Sequence, residues 1–246
     1  MEQEILRGTV QSIVYQNQEN GYAVLRLTAE TGELVTVVGT IPMICHRLLR
    51  SGGREICPGC LQSLPDYDGP EPKVRFAERC AVTFYYEGKL RESFLRYKFS
   101  GQRQYAERYG AWMAGTIRDK LAGQYDALTW VPVSRPRRRR RGYDQAELLA
   151  RAIGRELGLE PVRMLKKTVD NREQSGLGGA PERAANAAGV YVPFEPEKYA
   201  GKRILLIDDI VTTGATLSEC SRVLRTAGAA EVVCAALAAP REHRER

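Results

Sequence analysis

Residues 204–216 constrain this chain more than any other stretch: Ile204-Leu205-Leu206-Ile207-Asp208-Asp209-Ile210-Val211-Thr212-Thr213-Gly214-Ala215-Thr216. Four consecutive aliphatic residues are a strand pattern of the kind buried on both faces in a parallel sheet. The strand runs straight into two carboxylates, then into a short Thr/Gly loop that opens a helix. In open α/β sheets, ligands bind at the carboxyl ends of the strands. Backbone N–H groups at a helix N-terminus form an anion cradle. The hydroxyls of Thr212, Thr213 and Thr216 add donors, and Gly214 permits close approach or a positive φ. Carboxylates at a strand end accept hydrogen bonds from vicinal sugar hydroxyls. A phosphate cradle beside a diol-binding acidic pair specifies a phosphorylated ribose. Acidic pairs also hold Mg²⁺ in ATPases, but the phosphate loop those proteins need is absent here. Phosphoacceptor domains also carry such pairs, without a Thr-Thr-Gly-x-Thr loop directly behind. A purely structural role is a poor explanation, because two carboxylates after four aliphatic residues cost stability unless used.

The flanking sequence alternates strand and helix from 81 to 240. Strand patterns fall at 81–86 (AVTFYY), 127–134 (ALTWVPVS) and 231–239 (EVVCAALAA). Helical periodicity falls at 89–99, with Leu90, Phe94, Leu95, Tyr97 and Phe99 near one face, and at 105–121. It returns at 143–158, where Leu148, Leu149, Ala152, Ile153 and Leu157 form a stripe, and at 215–228, ended by Gly228. This order predicts an α/β fold with a mainly parallel sheet flanked by helices.

The N-terminal part differs. Residues 1–42 carry three strand-like runs, GTVQSIVY, YAVLRLTA and ELVTVVGT, separated by turn sequences. They predict a β-meander too small to close a barrel. Its charge is −3, from five Glu and two Arg. Residues 43–80 form a cysteine-bearing segment with a C-x-x-C knuckle at Cys57 and Cys60, and Cys45 upstream. Four ligands make a structural Zn²⁺ site. The usual partner position of Cys45 falls on Pro42, so the fourth ligand is open between His46, Cys80 and water. A redox pair or free thiols are the competing readings. Residues 64–71 hold two prolines, with Pro72 directly behind, and read as a linker, and 241–246 as a charged tail.

Charge and composition exclude several functions. The 246-residue chain has 37 Lys+Arg and 30 Asp+Glu, a net charge of +7, yet six of the arginines lie in one run, RPRRRRR at 135–141. Without them the balance is 7 − 6 = +1. That run reads as a nucleic-acid patch, a polyphosphate-binding loop or a solvated loop. Two histidines make a His-dependent triad or a multi-His metal site improbable. No apolar run approaches the roughly 18 residues of a membrane helix, and MEQEIL has no signal-peptide pattern, so no membrane insertion and a cytoplasmic location are expected.

Two resemblances sharpen these readings. GTVQSIVYQNQENGYAVLRL and VTVVGTIP resemble the opening strands of the N-terminal OB-like domain of RecD-like DNA helicases. The resemblance stops at Pro42, and no Walker A loop follows: Gly88-Lys89 precedes Leu90, and Gly201-Lys202 precedes Arg203. Helicase activity is therefore not expected, and the segment reads as a fragment joined by gene fusion or a frame error. Residues 204–216 resemble the phosphoribosyl pyrophosphate (PRPP) motif of type I phosphoribosyltransferases. The CPGC knuckle, YYEGKLRESFLRYKFSGQ, VPVS, RGYDQAELLARAI and the QSGL segment are together similar to the ComF/GntX family, associated with DNA uptake in competence.

This second resemblance, over about 43–240, implies a type I phosphoribosyltransferase-like domain at 81–240. It implies ribose contacts from Asp208 and Asp209, and 5′-phosphate contacts from Thr212, Thr213, Gly214, Ala215 and Thr216. Ser134 and Arg135 would face the pyrophosphate through Mg²⁺. Gln174, Ser175 and Arg183 would belong to a mobile lid over 166–186. Arg137, Arg138, Arg139, Arg140 and Arg141 would contact polyphosphate or nucleic acid. Asp144 departs from the family pattern, which has Asn there; a carboxylate cannot donate and would repel an anion. Implied partners are PRPP or another phosphoribosyl ligand, single-stranded DNA and a DNA-uptake helicase. Three expectations follow: a Mg²⁺-dependent phosphoribosyltransferase, a non-catalytic DNA- or helicase-binding module, or a non-functional fusion.

Overall fold

The computed structural model describes residues 8–17, 22–40, 64–99, 101, 103–169 and 189–241. The chain divides into two units, residues 1–64 with 88–105, and residues 65–87 with 106–246.

In the first unit, β1 (Gly8–Gln16), β2 (Tyr22–Ala29) and β3 (Leu34–Thr40) form the expected antiparallel meander in that order. Alternation on β2 buries Ala23, Leu25 and Ala29 on one face. Two register shifts bend β1, between Val10 and Ser12 and between Ile13 and Tyr15. Helix α1 (Gly88–Phe99) follows the predicted period, but its buried side is Leu90, Ser93, Phe94 and Tyr97, and Phe99 is exposed.

The second unit holds a four-stranded, wholly parallel sheet, ordered β4 (Arg79–Tyr85), β9 (Glu231–Ala239), β8 (Arg203–Ile210), β5 (Ala127–Trp130). Its helices are α2 (Tyr105–Leu121), α3 (Arg135–Arg141), α4 (Gln145–Leu157) and α5 (Ala215–Thr226). The predicted parallel α/β architecture is therefore present. The central strand β8 runs longer than its apolar core suggested, and both carboxylates lie within it. Strand β5 is shorter than predicted, because Pro132 cannot donate to a ladder; Val131 makes the last bond, its N–H donating to the Ile207 carbonyl at 2.9 Å. A two-stranded antiparallel hairpin, β6 (Leu165–Lys167) with β7 (Tyr191–Pro193), adds to the sequence expectation.

Two segments read as irregular are structured. The arginine run expected as a loop is helix α3: Ser134 caps its start, Pro136 sits in its first turn, and the left-handed Gly142 ends it. The stretch read as a linker packs onto the sheet. Tyr67 N–H donates to the Thr83 carbonyl, and Tyr85 N–H to that of Pro65. The Glu71 carboxylate then accepts from the Cys80 N–H and pairs with Arg79. Proline rigidity suits such an edge strap as well as it suits a connector.

Candidate functional site

Helix α5 begins at the carboxyl end of β8, and the turn between them, 211–214, is bounded by Asp208–Asp209 and Gly214. Val211 N–H ties it to the Ala238 carbonyl of β9. Gly214 is the N-cap residue of α5 with φ +71°, and its carbonyl accepts from the Ser218 N–H. A Cβ at this position would lie 2.8 Å from the Lys73 carbonyl oxygen of the strap. The strap is tied down again one turn later, where the Arg75 N–H donates to the Ser218 hydroxyl at 2.9 Å. Glycine at 214 thus satisfies both a left-handed backbone and a close crossing.

The turn holds one unmet polar group. The Thr213 hydroxyl is enclosed without a hydrogen-bond partner. Such groups are rare and costly, and point to a ligand or ordered water. Thr212 is exposed, and Ala215 and Thr216 are half-buried at the helix start.

Strand alternation places Asp208 on the face that carries Ile204 and Leu206, and Asp209 on the opposite face. Each carboxylate bends back on its own backbone: Asp208 accepts from the Asp209 N–H at 2.8 Å, and Asp209 from the Ile210 N–H at 2.6 Å. Asp208 overlies a bed of buried groups. Burial, aided by the Asp208 charge, pushes the Cys220 thiol well up. Burial raises Cys234 to about 12, with its Ser221 hydrogen bond pulling back and Asp208 adding to the rise. Tyr191 is held well above its ordinary value by burial, then by Cys220 and Asp208, with Arg137 opposing. These groups stay protonated. Cys80, one candidate zinc ligand, is buried in the core opposite Cys234, its thiol raised by burial and thus disfavoured as a thiolate.

Sequence reasoning missed one neighbour of this site, Tyr191, and read another, Lys167, as the start of the 166–186 lid, whereas it lies in strand β6. They are register partners in the β6–β7 hairpin, with the Lys167 ammonium 5.3 Å from the Tyr191 ring centroid. Strands of three residues carry no readable periodicity. The basic pair Lys166-Lys167 ahead of the Gly-rich stretch was the only available signal.

Ser134 is buried, and its hydroxyl accepts from the Arg137 N–H as the α3 cap. Arg135 is exposed at the start of that helix. The arginines beyond it are partly neutralised. Arg138 pairs with Glu147 at 3.3 Å, Glu147 also pairs with Arg151, and the Arg141 guanidinium donates to Gln145 at 3.2 Å. Arg139 and Arg140 are exposed, and Arg137 is half-buried.

Asp144 has two backbone partners. Its carboxylate is buried and both oxygens are engaged: Oδ2 accepts from the Val133 N–H at 2.9 Å, and Oδ1 from the Glu147 N–H at 3.2 Å as the α4 cap. It serves as an acceptor for two backbone donors. Burial nevertheless raises its pKa to about 6, the two backbone hydrogen bonds opposing.

Cys45, Cys57 and Cys60, and the lid residues Gln174, Ser175 and Arg183, lie outside the described residues. Among the described residues no group of three or more His, Cys, Asp or Glu is arranged to hold a metal ion, and no helix is long and apolar enough to cross a membrane.

The parallel sheet with this strand–turn–helix at the end of its central strand is a phosphoribosyltransferase-like fold, and residues 140–246 match the phosphoribosyl transferase domain family. Residues 3–47 match the OB-fold domain of the ATP-dependent DNA helicase YrrC. The chain is similar to competence protein F of Haemophilus influenzae, 29% identical over 182 residues, 72% of this chain and 75% of that one. It is 27% identical over 194 residues to competence protein ComFC of Streptococcus pneumoniae, 76% of this chain and 82% of the relative. The ComF resemblance read from the motifs therefore extends over most of the chain. A solved structure described as the allosteric regulatory enzyme of purine biosynthesis overlaps 88% of this chain at 16% identity and a TM-score of 0.37; this chain spans 35% of its length.

Two outcomes are expected. Gly214→Ala lowers stability by about 1–3 kcal/mol, since a left-handed alanine costs about 1–2 kcal/mol before the Lys73 carbonyl contact is relieved; equal urea midpoints for variant and wild type would contradict this. The second concerns pH. Between about pH 4 and 6, folded Asp144 holds a proton that the unfolded chain has released, so its contribution to stability falls as pH rises through that window. Relative to Asp144→Asn, the wild type loses on the order of 2–3 kcal/mol between pH 4 and 7.5. Urea unfolding of both proteins at the two pH values checks the sign.

Proposed function

We propose that the second unit binds PRPP or a closely related phosphoribosyl ligand at the β8–α5 turn and transfers the ribosyl group with release of pyrophosphate. The observation that carries this reading is the enclosed, partnerless Thr213 hydroxyl, beside a left-handed Gly214 and behind Asp208 and Asp209. A phosphate oxygen fits that vacancy in the hydrogen-bond inventory, and the α5 N-terminus favours its charge.

In this reading the 212–216 N–H and hydroxyl groups hold the 5′-phosphate, and Asp208 and Asp209 accept from the ribose hydroxyls. The loop 131–135 faces the pyrophosphate. A nucleophile forms a bond to ribose C1 as the C1–O bond to pyrophosphate breaks, the electron pair leaving with pyrophosphate. Positive charge develops on the sugar, and the two carboxylates stabilise it. Mg²⁺, when bound, neutralises charge on the leaving group. One or two carboxylates with substrate phosphates are an ordinary Mg²⁺ ligand set, so Asp208 and Asp209 suit it without an all-protein cage. The buried, free thiols Cys80, Cys220 and Cys234 accord with a cytoplasmic location. The similarity to competence proteins supports a place in competence and DNA uptake.

A ligand at a hundred times its Kd adds about 2.7 kcal/mol, equivalent here to a rise of roughly 5–10 °C in Tm. PRPP with Mg²⁺ is expected to raise the Tm of the wild type by that amount and to leave Asp208→Asn/Asp209→Asn unchanged. A folded wild type with no rise would remove this reading.

A second reading is favoured by the exposure of α3. Its arginines form a short basic helix, in a chain that also carries a region matching a DNA helicase domain. Single-stranded DNA is the corresponding partner, with a DNA-uptake helicase as its associate. Binding should weaken as salt rises and fall when Arg137–Arg141 are changed to Ala, measured by fluorescence anisotropy. Binding unaffected by the change would assign the arginines no such role.

A further inference from the structure

The loop that would face the pyrophosphate, Val131–Ser134, is short, precedes a helix of arginines, and is pinned at three successive points. At its start the Val131 N–H donates to the Ile207 carbonyl, one residue before Asp208. Pro132 has no N–H and restricts Val131 to extended conformations. At its end the Ser134 hydroxyl makes a long 3.4 Å contact with the Arg137 N–H. Between them, the Val133 N–H donates at 2.9 Å to Asp144, eleven residues further along the chain. The first pin joins the loop to β8, and the last joins it to α3, the helix that follows. The middle one joins it to the start of α4.

Asp144 makes this link while capping α4, and the two tasks use its two oxygens separately. Both partners are donors, so both atoms of the side chain's end must accept. A carboxylate does this without compromise. Asn offers one acceptor oxygen and one donor, so it can serve only one N–H well. Ser caps a helix nearly as well as Asp but has neither the reach nor the second oxygen. The carboxylate that departs from the family pattern is therefore the side chain best matched to its two partners.

We propose that Asp144 is a positioning residue for the phosphoribosyl site: by holding the Val133 N–H it sets the loop Val131–Ser134 relative to Asp208. The role rests on the PRPP reading above. It requires no contact between Asp144 and ligand. Loss of the tether frees the loop to turn about Val131 and Ser134, so ligand affinity falls while the α4 cap can be kept.

The test uses the full chain and PRPP with Mg²⁺, with affinity measured by calorimetry and stability by a melt without ligand. In Asp144→Ser the cap is retained, so the ligand-free Tm stays close to wild type. Affinity for PRPP falls about tenfold, the equivalent of one charge-assisted hydrogen bond. Asp144→Asn, which keeps one acceptor oxygen, loses less affinity than Ser. It also supplies the comparison if the Ser variant folds poorly. Hydrogen exchange at the Val133 amide reads the tether directly and should be faster in Asp144→Ser. Wild-type affinity retained within twofold in both folded variants overturns the positioning role and leaves the PRPP reading standing. Absence of PRPP binding by the wild type overturns both.

Discussion

The second unit depends on the central place of β8. Ile204–Ile207 are fully buried, flanked by β5 on one side and β9 on the other. Burying four aliphatic side chains contributes roughly 1.5–3 kcal/mol each, which fixes the strand firmly between its neighbours. β5 pairs only as far as Ile207, whereas β9 continues beside Asp208 and Ile210. The carboxylates therefore begin where one neighbour stops. An apolar strand ending in acidic residues is tolerable there, because that end of the strand is only half-buried.

The electrostatics of the site follow from this geometry. Asp208 lies above protonated thiols and a protonated tyrosine. The turn behind it offers donors instead: helix-start N–H groups and a hydroxyl lacking a partner. Negative and positive potential are thus adjacent, at the spacing of one strand end and one helix start, as a sugar phosphate requires. The arginines of α3 add cations nearby, but Glu147 moderates them by pairing with both Arg138 and Arg151. The net charge of the run overstates the free charge available to a polyanion.

The first unit is a different kind of object. Its meander buries one side of β2 and leaves Val14, Tyr15, Leu34 and Val38 exposed. Three strands bury little apolar area for their backbone cost, which is why such pieces usually belong to larger barrels or sandwiches. The family match over residues 3–47 accords with such an origin.

The sequence by itself determined the parallel α/β class, the extents of α2 and β9, the meander and the acidic strand end. Each of these rests on a local pattern: aliphatic runs, a 3.6-residue period, or turn residues between alternating strands. It misread what depends on distant partners. Six arginines suggested a loop, whereas Ser134 and Gly142 cap a helix that Glu147 steadies. A proline-rich stretch suggested a linker, whereas Thr83 and Ser218 hold it as a strap over the α5 start. Asp144 read as a carboxylate unable to donate, and Val133 and Glu147 supply the donors it accepts from. Only the tertiary structure decided these, because a hydrogen bond across 11 or 143 residues leaves no trace in local sequence pattern.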